Sequence, residues 1–126
     1  VKGLGKVYIA GILAEIADIR RFPNHHAVAK FGGLAWSRHQ SGSFESQNTH
    51  LLHTGNRYLR YYLVEAANSL AVHDAEFKRY YQRKKAESKT HAHLRALALT
   101  ARKLVRLLDA LLRSNRLYNP LGAPGR

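Results

Sequence analysis

Apolar residues recur at steps of three and four along most of the chain, and these runs predict a set of amphipathic helices. The longest covers "THAHLRALALTARKLVRLLDALLR". There Leu94, Leu97, Ala101, Leu104, Leu108, Leu111 and Leu112 form one stripe over about six turns, with Thr90 as the expected cap. In "GNRYLRYYLVEAANSLAVH" the stripe is Leu59, Tyr62, Leu63, Ala66 and Leu70; Asp74 is positioned to cap a next helix whose apolar residues are Phe77, Tyr80 and Tyr81. Near the start, Val7, Ala10, Ala14 and Ala17 share one face and Ile9, Ile12, Leu13 and Ile16 another. A largely buried helix ended by Pro23 is therefore expected. Asn24 is expected to cap a short helix over "HHAVAKF", with Gly32 and Gly33 supplying left-handed backbone past its end.

One stretch follows neither the helical nor the strand period. Residues 35–54 form a long polar insertion, for which a β-hairpin is one option, and the terminal "NPLGAPGR" has the composition of a disordered tail. The predicted fold is a mostly α single domain over 1–117, with a flexible tail at 118–126. Within it, 1–34 is the first helical part, 35–54 the insertion and 55–117 the main helical part.

At 126 residues, with 45% hydrophobic and 23% charged residues, the chain has the composition of a globular domain with one core. Charge changes the picture. Twenty-one Lys and Arg against eight Asp and Glu leave a net charge of +13, which makes a polyanion, nucleic acid first, the expected partner. A membrane surface would also attract it, but no apolar run approaches the roughly 20 residues that span a bilayer, and no signal peptide is visible. With no cysteine there is neither a disulfide framework nor a thiolate metal site, which fits a reducing cytoplasm. Methionine is also absent, even at position 1, so the chain is expected to be a fragment or processed product of something longer.

The positive charge is gathered. Arg95, Arg102, Arg106 and Arg113 follow one side of the last predicted helix, beside a second basic helix carrying Lys78, Arg79, Arg83, Lys84, Lys85 and Lys89. Rows of this kind neutralise phosphates without reading sequence. Tyr58, Tyr61, Tyr80 and Tyr81 lie among the charges, where they serve either as core or as stacking surfaces for bases. The opening "GLGKVYIAGILAEI" is similar to a helix-hairpin-helix motif, so Gly3, Gly5 and Lys6 are expected to face a DNA phosphate at a helix N-terminus; a plain tight turn is the other reading.

Histidine pairs occur at His25 and His26, His50 and His53, and His91 and His93, but no third ligand stands at a familiar spacing, and no metal ligands are assigned. Only Glu45 and Glu65 lie near the insertion in sequence, too few for a two-metal phosphodiester site. Hydroxyl nucleophiles remain. Ser41 precedes Gly42, which permits close approach of a phosphodiester; His39 is a candidate base, and Arg57 and Arg60 are candidate cations for the developing charge. Ser43, Ser46, Thr49 and Thr54 compete with Ser41, and residue chemistry alone does not choose among them.

The run "FGGLAWSRHQSGSFES", then "TGNRYLRYYLVEAANS" and "ALALTARKLVRLLDALLR", resembles the C-terminal transposase domain of the bridge-RNA-guided recombinases of bacterial insertion sequences, a group that includes the pilin-gene invertases. The resemblance implies a helical domain that acts with an N-terminal RuvC-like domain, absent here, whose four acids bind divalent metal; Mg²⁺ is thus a cofactor of that other domain. It implies Ser41 as the nucleophile that joins to DNA, with Ser43 a distant second. Gly33 and Leu34, Gly42, and Gly55, Asn56, Leu59 and Arg60 are then architectural or phosphate-approach positions. Trp36 stands where the family often has proline. The implied partners are DNA, guide RNA and further copies of the protein, in the bacterial cytoplasm at the nucleoid. Arg57, Arg60, Arg102 and Arg106 are the expected DNA contacts, and the isolated fragment is expected to bind DNA without recombining it. The alternative is a non-catalytic helix-hairpin-helix-type nucleic-acid-binding module, in which Ser41 is only a turn residue.

Overall fold

A computed structural model describes residues 4–34 and 55–114. They form five α-helices: α1 Lys6–Ile16, α2 His25–Phe31, α3 Arg57–His73, α4 Ala75–Glu87 and α5 Ala92–Ser114. No strand occurs among the described residues. The insertion at 35–54 with its possible β-hairpin, and the expected tail, lie outside them.

The core is built from stripes that the periodicity marks. Leu59, Leu63, Ala66 and Leu70 of α3 meet Leu97, Ala101, Leu104 and Leu108 of α5, all buried, and Phe77 of α4 closes one end at 1% exposure. Ala96 and Ala98 of α5 are buried as well. Helix α5 packs against α2, α3 and α4, and α3 against α1, α4 and α5. Asn24 caps α2 by accepting from the Ala27 amide, and Asp74 caps α4 by accepting from Phe77.

Helix α1 departs from expectation in burial and in length. Only Ile12 and Ile16 are buried, whereas Val7 is 73% and Leu13 40% exposed, because α1 rests on α3 along a single face. That face includes Gly11: a Cβ there would lie 2.6 Å from the Tyr62 ring. The helix stops at Ile16 rather than at Pro23. Ala17 turns to φ 63°, ψ −81°, and Asp18 then caps a 3₁₀ turn, Ile19–Arg21, by accepting from the Arg20 amide. Arg21 donates to the Ile16 carbonyl at 2.7 Å and lies over the rings of Phe22 and Phe31, so the freed helix end is satisfied by a side chain that a continued helix would carry elsewhere.

Two further expectations are corrected. His91 at φ 50°, not Thr90, immediately precedes α5, and its carbonyl accepts from the Arg95 amide; the Thr90 carbonyl accepts from the Ser88 hydroxyl instead. Leu94, expected in the stripe, is 64% exposed, although His93 beside it meets Tyr81 of α4 at 2.6 Å.

Candidate nucleic-acid interface

The described residues on either side of 35–54 meet at one place. Past α2, Gly32 keeps φ −82° and only Gly33 takes the left-handed conformation, at φ 73°. The Gly33 amide donates to the Lys30 carbonyl and the Leu34 amide to the Ala29 carbonyl, which is a Schellman ending; Leu34 then sinks into the core at 0% exposure. The chain returns at Gly55, whose φ is 99°. A Cβ at Gly55 would lie 2.5 Å from the Phe31 carbonyl oxygen and 3.1 Å from the Gly33 amide nitrogen. The Asn56 amide donates to that same Phe31 carbonyl at 2.6 Å. Departure and return thus share the C-terminus of α2.

Asn56 secures the return from two directions. Its Oδ1 accepts from the amides of Tyr58 and Leu59, capping α3, and its Nδ2 donates to Glu15 Oε1 of α1 at 2.7 Å. The spaced positions Gly33, Leu34, Gly55, Asn56 and Leu59 therefore have separate duties: left-handed turn, core anchor, close backbone approach, cap and core. Ser41 and Gly42 lie outside the described residues, as do Trp36 and Gly3.

The expected cationic contacts fall into groups. Gly5 is the N-cap of α1, with open space where a Cβ would stand, no side-chain cap and no acid in the first turn; Lys6 beside it is exposed. Arg57 and Arg60 share an open depression with Tyr61, Val64 and Glu65 at the start of α3. Arg106 lines a different one with Glu76, Phe77, Lys103 and Leu107. Arg102 and Arg106 also act on His25 at the start of α2. Burial makes the His25 ring harder to protonate, and the charges of His26, Arg106 and Arg102 add to this, while Asp109 pulls the other way. The charge spacing of α5 does not reveal that His25 belongs with these arginines; the packing of α2 on α5 does.

The arginine stripe is not uniform. Arg113 donates from Nε to Asp109 at 2.9 Å and from Nη2 to the Phe22 carbonyl at 2.6 Å, so it ties the end of α5 to the α1–α2 connection. On α4, Arg83 and Lys84 lie over Tyr80 and Lys85 over Tyr81, while Lys103 of α5 lies over Phe77 and Tyr80 and pairs with Glu76. Tyr80 and Tyr81 are thus half-buried beneath cations of their own domain; Tyr58, although Arg57 lies over its ring, and Tyr61 are exposed. Among the described residues no three of His, Asp or Glu gather as a possible metal site, and no helix is long and apolar enough to cross a membrane.

A basic helical domain in which the start of α3 is joined to the end of α2 is the class of protein these features define. The family model described as Transposase IS116/IS110/IS902 family matches residues 1–82, and the chain belongs to that family. It is 31% identical over 116 residues to the insertion element IS110 uncharacterized 43.6 kDa protein of Streptomyces coelicolor, a match that takes in 92% of this chain and 28% of the relative. It is 30% identical over 118 residues to the insertion element IS116 uncharacterized 44.8 kDa protein of Streptomyces clavuligerus, with 94% of this chain and 29% of the relative covered. The chain thus spans less than a third of either relative's length. No solved structure matches it.

Proposed function

We propose that this chain is the DNA-handling domain of an insertion-sequence transposase, and that Ser41 is its nucleophile. The observation that carries the reading is the pinned base of the insertion. Gly55 lies against Gly33 and Phe31, so the segment bearing Ser41 leaves and rejoins the domain at one point, with Arg57 and Arg60 opening the helix that follows. Family membership supplies the reaction class.

In this reading the Ser41 Oγ attacks a DNA phosphorus. A serine–phosphate bond forms, the bond from phosphorus to one deoxyribose oxygen breaks, and the Ser41 proton passes through a base to the departing oxygen. A hydroxyl of another strand then attacks the same phosphorus and releases Ser41, so one phosphodiester replaces another. Arg57 and Arg60 offset the charge that grows on the phosphorane oxygens. The described residues do not provide a ligand set for Mg²⁺, and the cation would be held by the acidic domain that the family resemblance implies. Guide RNA and further copies of the protein complete the proposed assembly.

The test uses a full-length transposase containing this chain, with guide RNA, Mg²⁺ and labelled DNA. Protein covalently attached to DNA is expected with Ser41 present and absent with Ser41→Ala. An undiminished adduct in the variant would remove Ser41 from the role. No adduct from the parent protein, with duplex binding intact, would favour a non-catalytic binding module.

A further inference from the structure

Tyr58 and Tyr61, one helical turn apart at the start of α3, are 58% and 59% exposed. The same turns send Leu59 and Leu63 fully into the core, so the two rings occupy the outward face. Both are supported from behind or beside. Tyr61 stands edge-on to Tyr62, with centroids 5.5 Å apart and planes at 70°, and Tyr62 is itself seated against Gly11 of α1. The Arg57 guanidinium carbon lies 5.3 Å from the centre of the Tyr58 ring, with Nη2 3.4 Å from the Tyr58 hydroxyl. Tyr61 shares its depression with Arg57 and Arg60, and with Glu65 as the acid among them.

We propose that Tyr58 and Tyr61 are a stacking platform for an unpaired DNA base, whose phosphates are held by Arg57 and Arg60. The inference rests on the reading above in two respects, that DNA is the partner and that strand exchange takes place at the Ser41 segment. An aromatic side chain held in place among cations suits a strand whose bases have free faces; in an intact duplex those faces are already stacked. A net charge of +13 favours a polyanion over an apolar protein partner. The platform's position favours DNA over RNA. It opens the helix that begins two residues after Gly55, at the return of the Ser41 segment, and bases beside an exchanged phosphodiester must leave one partner before meeting another.

The experiment measures binding of the 126-residue chain to a gapped DNA duplex with a fluorescent aminopurine in the gap, and to the fully paired duplex of the same sequence. The gapped DNA should bind more tightly, and aminopurine emission should be quenched. Tyr58→Ala with Tyr61→Ala should lower affinity for the gapped DNA by roughly 10-fold or more, leave the duplex affinity nearly unchanged and restore emission. Tyr58→Phe with Tyr61→Phe should behave as the parent chain, since stacking needs the ring and not the hydroxyl; helicity by circular dichroism checks each variant's fold. Equal loss on both DNAs, or no loss on either, would overturn the platform while leaving DNA binding in place. Failure of the parent chain to bind either DNA would overturn the DNA reading itself. Tighter binding to a gap strand made of RNA, or self-association abolished by Tyr61→Ala, would assign the surface to those partners instead.

Discussion

Asn56 and Glu15 join the two helices that flank the pinned insertion: Asn56 Nδ2 donates to Glu15 Oε1 at 2.7 Å while Asn56 Oδ1 caps α3. Asn56→Ala removes all three of these hydrogen bonds and is expected to cost about 1–2 kcal/mol in urea unfolding. Asn56→Asp keeps the cap but sets a second carboxylate against Glu15. It should therefore also lose stability, and Glu15→Gln in the same chain should recover most of that loss by removing the repulsion. No recovery with Glu15→Gln would show that Glu15 is not the partner that matters.

Close backbone contacts give two tests of the architecture. Gly55→Ala places a methyl 2.5 Å from the Phe31 carbonyl on a residue with φ 99°, and should cost about 2 kcal/mol or more. Gly11→Ala drives a methyl into the Tyr62 ring at 2.6 Å and should cost about 1–3 kcal/mol, as overpacking does. Chemical denaturation measures both. A neutral Gly55→Ala would mean that the insertion is not held at this point.

Arginines of α5 are expected to separate into two kinds. Arg102→Ala and Arg106→Ala should leave stability nearly unchanged, weaken binding to all DNA sequences alike, and lower the salt slope of log affinity by about 0.9 for each phosphate no longer neutralised. Arg113→Ala should instead cost about 1.5–3 kcal/mol of stability, because it removes charged hydrogen bonds to Asp109 and the Phe22 carbonyl. Fluorescence anisotropy across salt concentrations, paired with thermal unfolding, distinguishes the two kinds.

His25 reports on the same surface. Its folded-state titration lies below the ordinary value of 6.5, through burial first and then through the charges of His26, Arg106 and Arg102, opposed by Asp109. The folded chain therefore binds fewer protons there than the unfolded chain. This contribution to stability is complete above about pH 6.5 and is lost as pH falls through the depressed folded value. DNA phosphate on Arg102 and Arg106 would relieve the repulsion and raise the His25 midpoint, so binding should take up a proton and tighten as pH falls. An NMR titration of the His25 ring with and without duplex checks this; an unmoved midpoint would place DNA elsewhere.

Much of the architecture could be read from residue order because it is local. The stripes of α3 and α5, the caps Asn24 and Asp74 and the turn at Gly33 depend on neighbours within a few positions, where helical geometry and side-chain reach decide the outcome. The errors fall where a distant contact competes with local preference. Apolar spacing alone could not show that α1 rests on one face only, nor that Arg21 would take the Ile16 carbonyl and end the helix early.

The site divides in the same way. Net charge, the basic rows and the Ser41–Gly42 pair are properties of composition and order, so the sequence by itself determined a basic helical domain with a polar insertion and a candidate nucleophile. Only the tertiary structure decided that Gly55 and Asn56 lock onto α2, that Arg113 serves stability, that His25 joins Arg102 and Arg106, and that Tyr58 and Tyr61 face outward. The physical reason is that a side chain's partners are set by which helix faces meet in space. Helical periodicity specifies a face but not the element it will pack against.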